Sequence, residues 1–340
     1  MQAAQRCGIL LVNTGTPAAP RPQAVRKYLA KFLMDRRIAP MNRVGWWLIL
    51  HLCILPRRGK VSAEKYKAIW SEEGSPFAVA HEKLVSGLSG VFEQEGRNVV
   101  VACGMSYSEP SIRKAVRELK EAGCDRLIVL PLYPQSALST TGSVSDSVGR
   151  ELEKAHWDVP CDFVENYHGD PTYVKALASS LLHAGFDVDS TDKVLFSFHS
   201  IPLKDIEAGD TYELQAGSSS LQVAGELGIE RSRWTIGYHC RFDKARDWLS
   251  PYTKDVLSRW AEADVGRVFL ICPGFAVDCL ETLYDIGHEL KPYYFNEIRD
   301  RGREPIEENF VYVPCLDRSR AHVKVLSDVL RPYLEEDCNE

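Results

Sequence analysis

The sequence predicts an α/β protein made of two similar lobes, and three observations carry that expectation. Short continuous apolar runs alternate with longer segments of helical period, the pattern of parallel strands covered on both faces. The runs recur in the same order in the two halves of the chain. In the first of the matched pairs, proline follows the strand tip in both copies.

The first strand, Gly8-Ile-Leu-Leu-Val-Asn-Thr-Gly-Thr-Pro17, resembles Lys193-Val-Leu-Phe-Ser-Phe-His-Ser-Ile-Pro202. The second, Val99-Val-Val-Ala-Cys-Gly-Met-Ser-Tyr107, echoes Trp234-Thr-Ile-Gly-Tyr-His-Cys240, and a helix-like stretch follows each. The third, Arg126-Leu-Ile-Val-Leu-Pro-Leu-Tyr-Pro134, pairs with Arg267-Val-Phe-Leu-Ile-Cys-Pro-Gly-Phe275. Three matches in one order argue for an internal repeat over the chance likeness of buried strands. A last strand is expected at 310–313, and a helix over 318–333 that can return to the first lobe. Ligands of such sheets bind beyond the carboxyl ends of the strands. The residues to watch are therefore Asn13 and Thr14, Tyr107, the segment 133–141, His199 and Ser200, His239 and Cys240, and the segment 275–281.

Composition narrows the classes of function. A chain of 340 residues, 45% hydrophobic and 26% charged, exceeds one small core and excludes disorder. Lys+Arg 41 against Asp+Glu 47, a net charge of -6 with no basic run, argues against a nucleic-acid binder. The longest apolar run, 44–55, falls short of the roughly 20 residues that span a bilayer. The first residues lack a secretory pattern, so a cytoplasmic location is expected. The 10 cysteines are scattered without a C-x-x-C pair; they read as buried free thiols, not as disulfides, zinc ligands or iron–sulfur ligands. No phosphate-binding or dinucleotide motif follows a strand, and Gly104-Met-Ser-Tyr-Ser108 fails as a G-x-S-x-G elbow.

What remains is a histidine at one strand tip and an acidic helix at another. His199 leaves its strand before Ser-Ile-Pro, where a neutral imidazole either faces a ligand or is satisfied by nearby backbone. Asp278-Cys-Leu-Glu281 opens a helix with Leu280, Leu283, Tyr284 and Gly287 on one face and Glu281, Asp285 and Glu289 at i, i+4 and i+8 on another. A D-x-x-E capping box accounts for Glu281 but not for Glu289. Like charges four apart repel by about 0.2–0.5 kcal/mol per pair, so a row of three makes sense where cations visit. Imidazole plus carboxylate suits Fe²⁺ or another divalent first-row ion without selecting among them. Tyr107, Tyr133, Trp248 and Phe275 can line a flat apolar ligand or pack in the core. The stretch 46–55, from Trp46-Trp47 to Leu55, reads as a hydrophobic lip with possible peripheral membrane contact.

Taken together, these residues resemble the ferrochelatases, which insert Fe²⁺ into a porphyrin in haem biosynthesis. The matching stretches include Gly8 to Pro17, Val25-Arg-Lys-Tyr-Leu29, Asp35-Arg-Arg37, Gly74-Ser-Pro76, Leu130-Pro-Leu-Tyr-Pro-Gln135, Ser139-Thr140, Phe196-Ser-Phe-His199, Trp248-Leu-Ser-Pro-Tyr-Thr253, Pro273-Gly-Phe-Ala-Val-Asp-Cys-Leu-Glu-Thr-Leu283 and Val313-Pro-Cys-Leu316. The resemblance implies an α/β fold of two flavodoxin-like lobes, each a parallel sheet flanked by helices, with a porphyrin cleft between them. The lobes are expected over 1–165 with 317–340, and over 166–316. It implies an enzyme, a metal chelatase of the lyase class, with porphyrin and Fe²⁺ as substrates and no nucleotide, cofactor or iron–sulfur cluster.

His199 and Glu281 match the family's catalytic and metal-contacting pair, Asp285 and Glu289 its acidic path for metal or protons. Thr14, Tyr107, Trp248 and Phe275 match pocket-lining positions, and Asn13 is counted with them as a porphyrin contact. The chain departs from the family in four places: Ser200 stands where glycine is usual, His239-Cys-Arg241 where Gln-Ser-Arg is common, one residue is inserted before Trp248, and Tyr212-Glu-Leu-Gln-Ala216 stands where Tyr-Pro-x-x-Cys is usual. The insert from Trp46 to Leu55 favours protoporphyrin IX. The alternatives are coproporphyrin III, a cobalt or nickel tetrapyrrole chelatase, and a non-catalytic haem carrier. The oligomeric state is left open.

Overall fold

The computed structural model describes residues 6–39, 41–241, 243 and 245–335. It divides the chain into two compact units, Met1–Asn166 with Arg318–Glu340, and Tyr167–Asp317.

In the first unit the strands are β1 (Cys7–Asn13), β2 (Val99–Met105), β3 (Arg126–Pro131) and β4 (Cys161–Phe163). They form a 4-stranded parallel sheet in the order β2-β1-β3-β4. Every residue of the inner strand β1 is buried, which is why it reads as an unbroken apolar run. Leu10, Val12, Ala102, Leu127 and Val129 pack on one face against Ile112, Val116 and Leu119 of the helix Ile112–Glu121 and Val144 and Val148 of Ser143–Ala155. The closing helix, Arg320–Glu335, lies against Pro76–Gln94. Arg331 pairs there with Glu95 at 2.6 Å, and Arg97 donates to the Leu334 carbonyl at 3.2 Å.

The second unit repeats the plan. Its strands β5 (Lys193–His199), β6 (Trp234–His239), β7 (Val268–Ile271) and β8 (Phe310–Val313) form a 4-stranded parallel sheet in the order β6-β5-β7-β8. The three sequence matches fall on β1 with β5, β2 with β6 and β3 with β7. Each sheet thus has the flavodoxin-like order, with the second strand of the unit outside the first. One strand escapes the sequence reading: β4 is three residues, Cys-Asp-Phe, too short and too polar to stand out as an apolar run.

The repeat extends into side-chain packing. A Cβ on Gly104 would sit 2.9 Å from the Ile112 Cα, and one on Gly237 would sit 3.0 Å from the Thr253 Cα. Ile112 and Thr253 each begin the helix that follows the strand. The residue after each glycine then receives the chain in the same way: Met105 N–H donates to the Pro110 carbonyl at 2.6 Å, and Tyr238 N–H to the Pro251 carbonyl at 2.9 Å. Both glycines exist to let a helix start cross a strand at backbone contact.

The apolar stretch 44–55 divides between core and solvent. Trp46 is 8% exposed and its indole N–H donates to the Leu33 carbonyl at 2.7 Å; Leu50 and Leu55 are also buried. Val44, Trp47, Leu48, Ile49 and Leu52 face outward, Leu52 being 70% exposed. Among the described residues no helix is long and apolar enough to cross a membrane.

Gly104→Ala and Gly237→Ala should each destabilise the protein by about 1–3 kcal/mol, because the added methyl meets backbone that cannot swing aside. Denaturant melts check this; an unchanged midpoint in either variant contradicts the close-approach account.

Candidate functional site

His199 ends β5 and stands in register with His239, the last residue of β6. Ser200 N–H donates to the His239 carbonyl at 2.8 Å, holding the two strand ends together. The His199 Nδ1 lies 2.7 Å from the Ser200 carbonyl oxygen. A carbonyl only accepts, so Nδ1 carries a proton and Nε2 is the ring nitrogen not engaged by that bond. Of the two sequence readings of His199, the backbone contact is present at one nitrogen, and the other nitrogen is not engaged by it. Ser200, at the family's usual glycine position, fits without disturbance, because its buried hydroxyl donates to the Leu249 carbonyl at 3.0 Å.

His239 is buried beside it, with ring centroids 6.4 Å apart. Its Nδ1 is 2.8 Å from the Ser197 hydroxyl, which is 2.8 Å from that of Thr253. The ring stacks on Phe275 at 5.8 Å, and its Nε2 has no hydrogen-bond partner. Burial, reinforced by the neighbouring His199, pushes the His239 pKa down to about 3, so the ring is neutral at physiological pH.

The acidic helix differs from its expected geometry. Residues Glu281–Leu290 form a π-helix: the hydrogen bonds close on the fifth residue, as the Lys291 N–H does on the Ile286 carbonyl. Residues four apart then fall short of a full turn, where in an α-helix they overshoot it. The row still runs outward, Glu281 and Asp285 half-buried and Glu289 exposed. The capping box is not formed. Asp278 instead accepts from the hydroxyls of Thr282, at 2.7 Å, and Tyr312, while its N–H donates to Asp317 at 2.6 Å. This leaves Glu281 free of a capping role.

Two thiols serve the acids. The Cys240 Sγ donates to Asp285 Oδ2 at 3.2 Å, and the Cys279 thiol hydrogen-bonds Glu281. Burial first, and the nearby carboxylates next, push both thiols well above their ordinary range, so both remain protonated donors. Cys240 holds a left-handed backbone with φ of 62°, which a non-glycine residue keeps only when its surroundings impose it. Cys279 was readable only as one more buried cysteine; its role is set by packing. Nine described cysteines are free, with Cys53 and Cys161 exposed against expectation, and Cys338 lies outside the described residues. Among the described residues, no three His, Cys, Asp or Glu side chains gather into one metal-holding group.

The remaining predicted contacts separate. Trp248 is buried, bridged to Pro202, with the Arg246 guanidinium 4.7 Å over its ring. In the first unit, Thr14 accepts the Tyr107 N–H at 3.0 Å through its carbonyl and shares a 2.8 Å hydroxyl contact with Tyr133. Asn13 is buried with its amide 3.1 Å from His81, and the Tyr107 hydroxyl donates to Asp35 at 2.7 Å. Asn13 and Tyr107 thus spend their polar groups inside the unit, while Thr14 is half-buried at the tip.

The thiol assignments predict reactivity. Iodoacetamide at neutral pH should modify Cys53 at least about a hundredfold faster than Cys240 or Cys279, whose sulfurs are enclosed and protonated. Peptide mass spectrometry reads this out; comparable rates at Cys240 and Cys53 contradict the assignment.

The ferrochelatase family model matches residues 6–334. Ferrochelatase of Aromatoleum aromaticum is 41% identical over 328 residues, covering 96% of this chain and 87% of that one. Ferrochelatase of Haemophilus influenzae is 35% identical over 330 residues, covering 97% and 98%. Among solved structures, SirB from Bacillus subtilis with Fe³⁺ shares the fold with a TM-score of 0.58 at 12% identity, covering 98% of each chain. With two matching parallel sheets and a family match over nearly its whole length, the chain belongs to the ferrochelatases, a family of metal chelatases.

Proposed function

We propose that this chain inserts Fe²⁺ into protoporphyrin IX and releases two protons, with no nucleotide. The observation that carries the proposal is an imidazole nitrogen not engaged by the backbone contact, His199 Nε2, on the same unit as a carboxylate row that runs from half-buried Glu281 to exposed Glu289. Insertion exchanges two pyrrole N–H bonds for bonds to the metal, so it needs a proton acceptor and an exit for protons. His199 Nε2 makes the first contact with the ion, is freed as the ion passes to the ring, and then takes the two pyrrole protons in turn, each passed on to water with Glu281, Asp285 and Glu289 exchanging protons. Fe²⁺ keeps its oxidation state throughout and enters as substrate. The aromatic residues Trp248 and Phe275 contact the macrocycle, and a rigid apolar wall favours the distorted ring that accepts a metal. A haem carrier needs such a wall but not an acidic row leading to solvent.

The choice of protoporphyrin rests on the outward apolar face of Val44, Trp47, Leu48, Ile49 and Leu52. Arg43, Arg57 and Lys60 are exposed on the same segment. Apolar side chains flanked by bases suit the interface of an anionic bilayer, where an apolar porphyrin partitions.

His199→Ala should abolish insertion while the porphyrin still binds, and Glu281→Gln should lower turnover about a hundredfold more than it weakens porphyrin binding. Anaerobic assays with Fe²⁺ against protoporphyrin and coproporphyrin decide it: activity within tenfold of wild type in His199→Ala removes the base, and a preference for coproporphyrin overturns the substrate. Trp47→Ser combined with Leu52→Ser should reduce sedimentation with phosphatidylglycerol vesicles about tenfold or more. Equal sedimentation of the double variant and the wild type would remove the membrane contact.

A further inference from the structure

We propose that His239 is a second nitrogen donor to the divalent metal ion, acting beside His199 at the carboxyl edge of the second sheet. The proposal deepens the metal-insertion reading and rests on it. In a parallel pair, residues in register point to the same face, and His199 and His239 are in register at the ends of β5 and β6. Their rings lie 6.4 Å apart between centroids, and with the His239 ring held, a turn of the His199 ring is what would bring one first-row ion, about 2 Å from each nitrogen, within reach of both.

His239 is built as a ligand is built. Its Nε2 is buried and unpartnered, a state that a native structure tolerates where a ligand completes it. Its Nδ1 is anchored to Ser197, and Ser197 to Thr253, both at 2.8 Å. In the tautomer with Nδ1–H donating to Ser197, Ser197 O–H turns to Thr253 and Nε2 is a lone pair; outer partners orient metal-bound histidines in this way, and the proposal requires that tautomer. Phe275 stacks on the ring and limits its swing. The next residue, Cys240, ties the strand end to Asp285 on the acidic helix. His239 is therefore next in the chain to a residue that touches the acidic row, and in register with His199. Binding is ligand exchange: His239 displaces a water from the ion and releases the ion unchanged in charge.

A glutamine, common in the family at this position, offers a weak amide oxygen in place of imidazole nitrogen. Two imidazoles shift preference toward Co²⁺, Ni²⁺ and Zn²⁺ relative to Fe²⁺. The full-length protein without porphyrin, titrated anaerobically with Co²⁺, should bind it about tenfold or more tightly than His239→Gln does. The same substitution should lower the ratio of Co²⁺ to Fe²⁺ insertion, a change that a merely structural loss would not produce. Crystals of the unsubstituted protein soaked in Co²⁺ should show an anomalous peak about 2 Å from His239 Nε2. Cobalt affinity within twofold of wild type in His239→Gln overturns the proposal, and so does a peak on His199 alone. The crystal decides the matter if the variant does not fold. Failure of the wild type to insert any metal would instead overturn the reading of function, because cobalt binding is measured without porphyrin.

Discussion

The parallel pairing of β5 with β6 is the constraint on which the site depends. It sets His199 and His239 side by side, and the bond from Ser200 N–H to the His239 carbonyl stops the two strand ends from splaying. The pairing is itself held by Gly237. Without a side chain there, the start of the helix Thr253–Glu262 lies on the strand, and Thr253 reaches the hydroxyl of Ser197 that steadies His239. The close approach that Gly237 permits, where an added Cβ would lie 3.0 Å from the Thr253 Cα, thus bears on the direction of an imidazole two residues further along. Rigid strands with short side-chain tethers place reacting groups more closely than loops do.

The acidic helix solves a different problem. Carboxylates in a row repel one another, and a half-buried row costs more because water screens it less. Here each of the two inner acids receives a protonated thiol, Cys279 on Glu281 and Cys240 on Asp285. A thiol donates a weak hydrogen bond without adding a positive charge. A lysine or arginine in the same place would neutralise the row and close it to a cation. The thiols let the acids stay attractive to metal and protons while their oxygens are partly satisfied.

Sequence alone revealed the parts of the fold whose signal is composition. Buried parallel strands must be apolar along their whole length, so β1, β2, β3, β5, β6, β7 and β8 stood out, and their order exposed the repeat. The strand β4 and the π-helix left no such trace: the first is too short, and the second changes which carbonyl each N–H reaches without changing which residues are apolar. The same limit applies at the site. His199, Glu281, Asp285 and Glu289 can be proposed from residue type and spacing, whereas D-x-x-E reads as a capping box whether or not Asp278 turns to Thr282 and Tyr312 instead. The unpartnered nitrogen of His239 and the contact of Cys279 with Glu281 depend on three-dimensional packing, which no spacing rule encodes.

The repeat also sets the proposed site beside its counterpart in the other copy. With Gly104 matched to Gly237, the positions of His239 and Cys240 correspond to Ser106 and Tyr107 in the first unit, and that of His199 corresponds to Thr14. The backbone ties the strand ends together in both units but by different bonds: Ser106 N–H donates to the Asn13 carbonyl at 2.9 Å and Tyr107 N–H to Thr14 at 3.0 Å in the first, Ser200 N–H to the His239 carbonyl at 2.8 Å in the second. The side chains are not alike. Hydroxyls and a phenol bonded to Asp35 neither accept a proton readily nor bind a soft divalent ion, whereas imidazoles do both. One scaffold therefore presents two kinds of edge: a first suited to contacts with hydroxyl groups and a second suited to metal and proton exchange. That division follows from three differences of tip residue type, with the strand order of the sheet that holds them unchanged.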